Sequence, residues 1–357
     1  MDKNILLINL GSPKSLDKKD VKDYLREFLS DDLVIDLPKI LQQFILRCFI
    51  LPFRPAQAKE AYELIWEEEG SPLIINTQKI ANALAKKTGW NVDIAMRYQE
   101  PSIENVIKKY KENNVEELTV ISLYPHNAMS TTLSTELAVK EIVKRIYPDL
   151  KLSFVEPFYD NPLYIEALSE SIKPYLKDID KLVFSYHGIP MRHIKKSDIS
   201  GSHCMGENSC CNIDNVSSRN CYRSNTFTTS KLTAQYLKLK SSEWMMTFQS
   251  RVSIISPNWL KPYTDIELDN LPPKGVERVG VVCPSFVADC LETLEEIDMR
   301  ARETFEEAGG KTFKYIPCLN DDKKFISVLE HLILAVSYTH LRAHETEADL
   351  VCRLLLE

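Results

Sequence analysis

The sequence predicts an α/β protein made of two similar halves, each built on a parallel sheet. Three observations predict it. Short Val, Ile, Leu and Phe runs alternate with helix-period segments along the chain, the pattern of strands joined by crossover helices. The run "ILLINLGSP" (Ile5 to Pro13) is echoed by "LVFSYHGIP" (Leu182 to Pro190), each an apolar run, one further residue and then Gly-x-Pro. Finally, 357 residues exceed one ordinary core at roughly 150 residues per domain.

In chain order, strands are expected near 4–10, 92–97, 118–124, 151–156, 181–186, 246–252, 278–283 and 312–316, with helices over 101–113, 131–146, 160–177 and 289–308. The first domain is placed at 1–155 and the second at 156–318, followed by a terminal helix at 319–336. The second half carries an insertion at 197–225, "SDISGSHCMGENSCCNIDNVSSRNCYRSN", too polar to build a core. The stretch "SYTHLRAHETEADLVCRLLLE" (337–357) follows a helical pattern without a cap or turn signal. It resembles a translated sequencing adapter, reads as a non-native tail and is set aside from fold reasoning.

Several function classes fall away on composition. The net charge is −7, with Lys and Arg scattered, so the electrostatic footprint of a nucleic-acid binder is missing. Glycine occurs only 10 times and no phosphate-binding glycine loop follows a strand. The N-terminal apolar stretch is too short for an export signal, which suggests a cytoplasmic protein. The segment "DLPKILQQFILRCFILPF" (36–53) is interrupted by Lys39, Gln42, Gln43 and Arg47, so it cannot span about 30 Å of hydrocarbon. It reads as amphipathic, and its part from Ile40 to Phe53 as an apolar lip for a flat ligand or a membrane surface, with an ordinary core helix as the other reading.

Ligands of parallel sheets sit beyond the carboxyl ends of the strands, and chemistry-bearing residues collect there. His187 ends the run 181–186 before Gly-x-Pro, where its echo partner is Leu10; the alternative is a histidine bonded to a neighbouring loop. The helix expected from about Asp289 places Leu294, Ile297, Ala301, Phe305 and Ala308 on one face. Glu292, Glu296, Met299 and Glu303 fall on the other. An acidic face is usually solvated, but Glu292 stands in the first turn beside a strand-end loop. Arg97 and Tyr98 end another strand, and Ser130, Thr131 and Thr132 open the following helix. Such groups suit a carboxylate-bearing ligand, or they merely cap. Cys204, Cys210, Cys211 and Cys221 are spaced C-x5-C-C-x9-C. Export-type disulfides are disfavoured and zinc usually takes C-x2–4-C pairs, which leaves a metal or iron–sulfur centre, or free thiols.

Taken in order, "LLINLGSP", "FLSDDLVIDLP", "EEGSPL", "AMRYQEPSI", "LYPHNAMSTT", "FSYHGIP", "FQSRV", "DCLETLEEI" and "GGKTFKYIPCLN" resemble the motifs of ferrochelatases. These enzymes insert ferrous iron into a porphyrin to end haem synthesis. The resemblance runs from about residue 3 to residue 334. It implies a chelatase-like fold of two Rossmann-like domains with the porphyrin in the cleft between them, Fe2+ as a substrate, and catalysis by His187 and Glu292. It further implies that Glu296 extends an acidic path for iron or protons, and that Ser71, Arg97, Tyr98 and Tyr124 lie near the porphyrin or its propionates. Cys290 stands where many relatives have a histidine. Some bacterial members resemble this chain in carrying an internal [2Fe–2S] cluster, which implies that role for Cys204, Cys210, Cys211 and Cys221. A related chelatase acting on coproporphyrin III or another metal, or a non-catalytic tetrapyrrole-binding or redox-sensing module, are the competing readings.

Overall fold

The computed structural model describes residues 3–204, 210–252 and 258–336. Among these described residues, eight strands form two four-stranded sheets: β1 (Asn4–Asn9), β2 (Asn91–Met96), β3 (Glu117–Ser122) and β4 (Lys151–Phe154), then β5 (Lys181–His187), β6 (Trp244–Gln249), β7 (Arg278–Val282) and β8 (Thr312–Ile316). The orders are β2-β1-β3-β4 and β6-β5-β7-β8, and every pair is parallel. The second sheet therefore repeats the first, with the two echoing segments, β1 and β5, in the same place. All eight expected strands form, within a few residues of their expected ends.

Strands inside a parallel sheet are covered on both faces, which is why β1 (NILLIN), β5 (KLVFSYH) and β7 (RVGVV) read as near-continuous apolar runs, whereas the edge strands β4 and β8 carry exposed polar residues. Ile5 and Leu7 face one side of β1 and join a cluster with Ile80, Leu84, Leu182 and Phe184, so this core is shared by both halves. Leu6 and Ile8 face the other side, against Ile107, Val120 and Val139. Each such side chain contributes about 1.5–3 kcal/mol when fully buried. The helical residues 323–336 return to the shared core through Phe325, Leu329 and Ile333, and Glu330 pairs with Lys87 at 3.0 Å. The expected tail at 337–357 lies outside the described residues.

The echoed glycines have one cause. A Cβ on Gly11, whose φ is +110°, would stand 2.0 Å from the carbonyl oxygen of Tyr98; a Cβ on Gly188 would stand 2.7 Å from that of Gln249. In each half the turn after the second strand of the sheet order passes so close to its neighbour's end that only glycine fits. Leu10 packs against the core at the position that His187 occupies in the second half.

Two expectations are corrected. The helix expected over 289–308 is a short turn, Leu291–Thr293, then a π-helix, Leu294–Ala301, then an α-helix, Arg302–Glu307. Its N-cap is Cys290, not Asp289. The carboxylate of Asp289 instead accepts from Asn320 Nδ2 at 2.8 Å, Thr293 Oγ1 at 3.1 Å and Cys318 N at 3.2 Å, tying the helix start to the loop after β8.

The segment 39–53 folds as the helix Lys39–Ile45 and the π-turn Leu46–Ile50, and it is apolar on both sides. Leu46, Ile50 and Leu51 are buried with Ile35, while Ile40, Phe44 and Phe53 are 88%, 55% and 67% exposed. The core reading thus describes one face, and the other leaves apolar side chains exposed. Among the described residues, no helix is long and apolar enough to cross a membrane.

Candidate active site

Strand β5 ends on His187, which is half-buried. Its backbone is bonded on both sides: the N–H donates to Ser285 Oγ at 3.1 Å and the carbonyl accepts from Tyr222 Oη at 2.9 Å. The ring meets the Phe286 ring edge-on, with centroids 6.3 Å apart. Its Nδ1 lies 2.7 Å from the Gly188 carbonyl oxygen. A carbonyl oxygen only accepts, so Nδ1 carries the proton, and in the neutral imidazole Nε2 keeps the lone pair.

Gln249 pairs in register with His187 across β5 and β6. Its Nε2 donates to the Glu292 carbonyl oxygen at 2.7 Å. The next residue, Ser250, has φ of +62°; its N–H donates to Glu296 Oε1 at 2.7 Å and its hydroxyl to Glu296 Oε2. Burial pushes the Glu296 carboxyl above the usual carboxylate range, against the opposing pull of Ser250, His187 and Arg300. Glu296 therefore lies within electrostatic reach of His187. Glu292 lies within electrostatic reach of Cys290 and of two phenols of the N-terminal half, Tyr62 and Tyr24. Burial and then the charge of Glu292 hold the Cys290 thiol and the Tyr62 phenol up, and Tyr24 is raised by burial, Tyr62 and Glu292. Glu292 stands in the short helix Leu291–Thr293 and Glu296 four residues on, in the π-helix Leu294–Ala301; π-segments recur at functional sites.

The other expected groups are placed as follows. Arg97 gives Nη2 to Asp31 Oδ2 at 2.7 Å and Nε to Ser134 Oγ at 2.8 Å. Tyr98 Oη donates to the same Asp31 oxygen at 2.8 Å. Their polar atoms thus serve an internal carboxylate, and Arg97 stacks over the Tyr98 ring at 4.6 Å. Ser71 is the N-cap of the helix Pro72–Thr88 and makes no side-chain cap bond. Tyr124 is buried. Ser130 and Thr131 lie half-buried in the π-turn Met129–Leu133 that leads into the helix Ser134–Ile146.

Sequence reasoning did not single out Gln249, Ser250, Tyr222 or Asp31. The one available signal was positional: Gln249 and Ser250, in "FQSRV", end a strand as His187 does.

In the insertion, Cys204 and Cys221 are in hydrogen-bonding contact, as are Cys210 and Cys211, and Cys210 is in electrostatic reach of Cys204 and Cys221. Arg223 Nη1 lies 3.6 Å from Cys211 Sγ. Burial pushes the Cys211 thiol up to about 12, with Arg223 opposing. Asp198 anchors the loop, accepting from Cys204 N at 2.7 Å and His203 N at 2.8 Å. Among the described residues, no three His, Cys, Asp or Glu side chains converge to hold a single metal ion.

Residues 2–336 match the family model described as ferrochelatase. The chain is 42% identical over 336 residues to the ferrochelatase of Ectopseudomonas mendocina, covering 93% of this chain and 97% of that protein. It is 43% identical over 333 residues to that of Opitutus terrae, covering 92% and 96%. Among solved structures, SirB from Bacillus subtilis with Fe3+ aligns over 93% of this chain and 96% of its own, with a TM-score of 0.51 and 13% identity. That likeness concerns the fold of two parallel four-stranded sheets. The sequence match extends through both sheets and the returning helix, and the chain belongs to the ferrochelatase family.

Proposed function

We propose that this ferrochelatase inserts Fe2+ into protoporphyrin IX at the rim formed by His187, Glu292 and Glu296, with the macrocycle in a cleft between a first domain at 1–155 and a second at 156–318. The observation that carries the reading is the state of His187: its Nδ1–H is committed to the Gly188 carbonyl oxygen, which leaves Nε2 as the basic nitrogen at the end of a central strand, with the residue within electrostatic reach of Glu296.

Insertion exchanges one Fe2+ for two pyrrole protons. A base must take each proton as the metal enters, and a positioned imidazole supplies about 10²–10⁴-fold of rate in such a step. Nε2 also suits ferrous iron as a borderline ligand. Glu292 and Glu296 complete an acidic path that attracts the cation and carries protons away. Glu296 is suited to relaying protons because burial raises its affinity for one. Ser71, Arg97, Tyr98, Tyr124, Ser130 and Thr131 are proposed to border the porphyrin. The exposed faces of Ile40, Phe44, Phe49 and Phe53 support a lip that receives a flat apolar substrate, and peripheral contact of a cytoplasmic enzyme with the membrane surface.

Cys204, Cys210, Cys211 and Cys221 are proposed to hold a [2Fe–2S] cluster. What supports this is the grouping of the thiols into two touching pairs, because each iron of such a cluster takes two thiolates. When bound, it would join four points of a polar loop into one covalent unit.

An anaerobic insertion assay with Fe2+, Co2+ and Zn2+ on protoporphyrin IX and coproporphyrin III tests the reading. Fastest turnover with Fe2+ and protoporphyrin IX is expected. Preference for the other porphyrin or metal would reassign the substrate, and binding without insertion would make the chain a tetrapyrrole-binding module.

A further inference from the structure

The partner of His187 across the sheet, Gln249, is 5% exposed, and the hydrogen bonds of its amide can be traced group by group. Its Oε1 accepts from Ser185 Oγ at 2.7 Å and lies 3.7 Å from the Cys283 thiol. Its Nε2 donates to the Glu292 carbonyl oxygen at 2.7 Å and reaches Glu296 Oε2 at 3.5 Å. A flipped amide would set its oxygen against a carbonyl and a carboxylate oxygen, so the partners fix one orientation.

Ser185 precedes His187 by two residues and shares its face of β5. Its hydroxyl is held at 2.8 Å by Thr264 Oγ1, which in turn meets Thr247 Oγ1 at 2.9 Å. The amide thus runs from a braced point on the histidine's strand to the backbone on which the two acids are mounted. Ser250 grips the carboxylate of Glu296, whereas Gln249 grips the chain itself. The close approach of Gly188 adds a backbone contact on the same side: its N–H donates to the Gln249 carbonyl oxygen at 2.8 Å.

We propose that Gln249 is a positioning residue for metal insertion: its side-chain amide fixes the segment bearing Glu292 and Glu296 against the strand bearing His187. This rests on the assignment of His187 and Glu292 made above. A shift of about 1 Å in such a constellation is enough to lower a rate by roughly 10²-fold. The polar atoms of the amide are spent inside the protein, so porphyrin binding does not depend on them.

The test is steady-state insertion of Fe2+ into protoporphyrin IX by the full chain, with kcat and porphyrin KM measured separately. Gln249→Met keeps the length of the side chain without its donor or its acceptor. Gln249→Glu keeps the acceptor for Ser185 but turns an oxygen toward the Glu292 carbonyl. Both are expected to lower kcat by at least tenfold with KM within twofold of the parent. Ser185→Ala, which frees the far end of the amide, should lower kcat two- to fivefold. Should Gln249→Met fail to fold, the other two variants are read by the same split. A kcat within twofold of the parent in folded Gln249→Met or Gln249→Glu overturns the proposal, as does a rise in KM that accounts for the whole loss. His187→Ala and Glu292→Gln are assayed alongside. If they are inactive while the Gln249 variants are not, the positioning role falls and the active-site reading stands. If they remain active, the active-site reading itself falls, and with it the role of Gln249 in holding it.

Discussion

The phenol of Tyr222 donates a 2.9 Å hydrogen bond to the backbone carbonyl of His187, and Tyr222 is the residue that follows Cys221. Burial raises the Tyr222 phenol above its ordinary range, so it stays a neutral donor at any working pH. A hydrogen bond therefore joins the cysteine-rich insertion to the strand that ends on His187. Both the insertion and the apolar lip arise in the same crossover of the repeated fold, the lip between β1 and β2 and the insertion between β5 and β6.

Tyr222→Phe removes that bond while keeping the ring, and leaves the His187 carbonyl short of a partner. A loss of about 1–3 kcal/mol in stability is expected, with a several-fold fall in kcat and no change in porphyrin affinity. Urea unfolding and the insertion assay check the two halves of this statement; a parental kcat would show that the bond serves stability alone.

The four cysteines should act as a set. Protein purified anaerobically is expected to be reddish-brown with about two irons and two sulfides per chain, and any one of Cys204, Cys210, Cys211 or Cys221 changed to Ala should bleach it. Metal analysis and the visible spectrum decide it. One zinc per chain without colour would make the loop a structural zinc site, and no metal would leave four ordinary thiols.

The two faces of the lip separate by mutation. Phe44 is 55% exposed, so Phe44→Asp should leave the unfolding midpoint nearly unchanged while weakening porphyrin capture or association with vesicles. Ile45 packs against the cluster of Leu46 and Ile50, so Ile45→Asp should cost about 2–4 kcal/mol through burial of an unpaired charge. Equal destabilisation by the two changes would return the segment to ordinary core.

Asp31 provides a pH-dependent signature. Burial raises its pKa, but the bonds from Ser134, the Leu33 N–H and Tyr98 and the charge of Arg97 outweigh it, and the net direction is down. A carboxylate whose folded pKa lies below its unfolded value, about 3.9, stabilises the fold above that value and loses the effect as pH falls through the folded pKa. Asp31→Asn should therefore be about 1–3 kcal/mol less stable at pH 7, given the charge-assisted bonds it loses, and the difference should close below about pH 4. A constant difference across pH would mean that packing, not charge, is responsible.

The central strands β1, β5 and β7 were legible because they are near-continuous apolar runs, and the doubled architecture because Gly11 and Gly188 answer the same steric demand. His187 was legible from its place at a strand end. The geometry of the acids was not: hydrophobic periodicity assumes 3.6 residues per turn, and the π-helix Leu294–Ala301 breaks that assumption where Glu296 approaches His187. Arg97 looked available for a ligand carboxylate because Asp31 is 66 residues away in sequence, a separation that no local pattern spans. The contacts of Gln249 were not legible for the same reason, since its partners come from β5 and from the turn after β7.

His187 is proposed to be the group that takes the pyrrole protons. The most direct test is the anaerobic rate of Fe2+ insertion into protoporphyrin IX by His187→Ala at saturating porphyrin, with porphyrin binding titrated on the same sample. A rate at least 10²-fold below the parent is expected, with affinity within tenfold, which is about 1.4 kcal/mol. Retention of more than a tenth of the parental turnover at matched occupancy would contradict it.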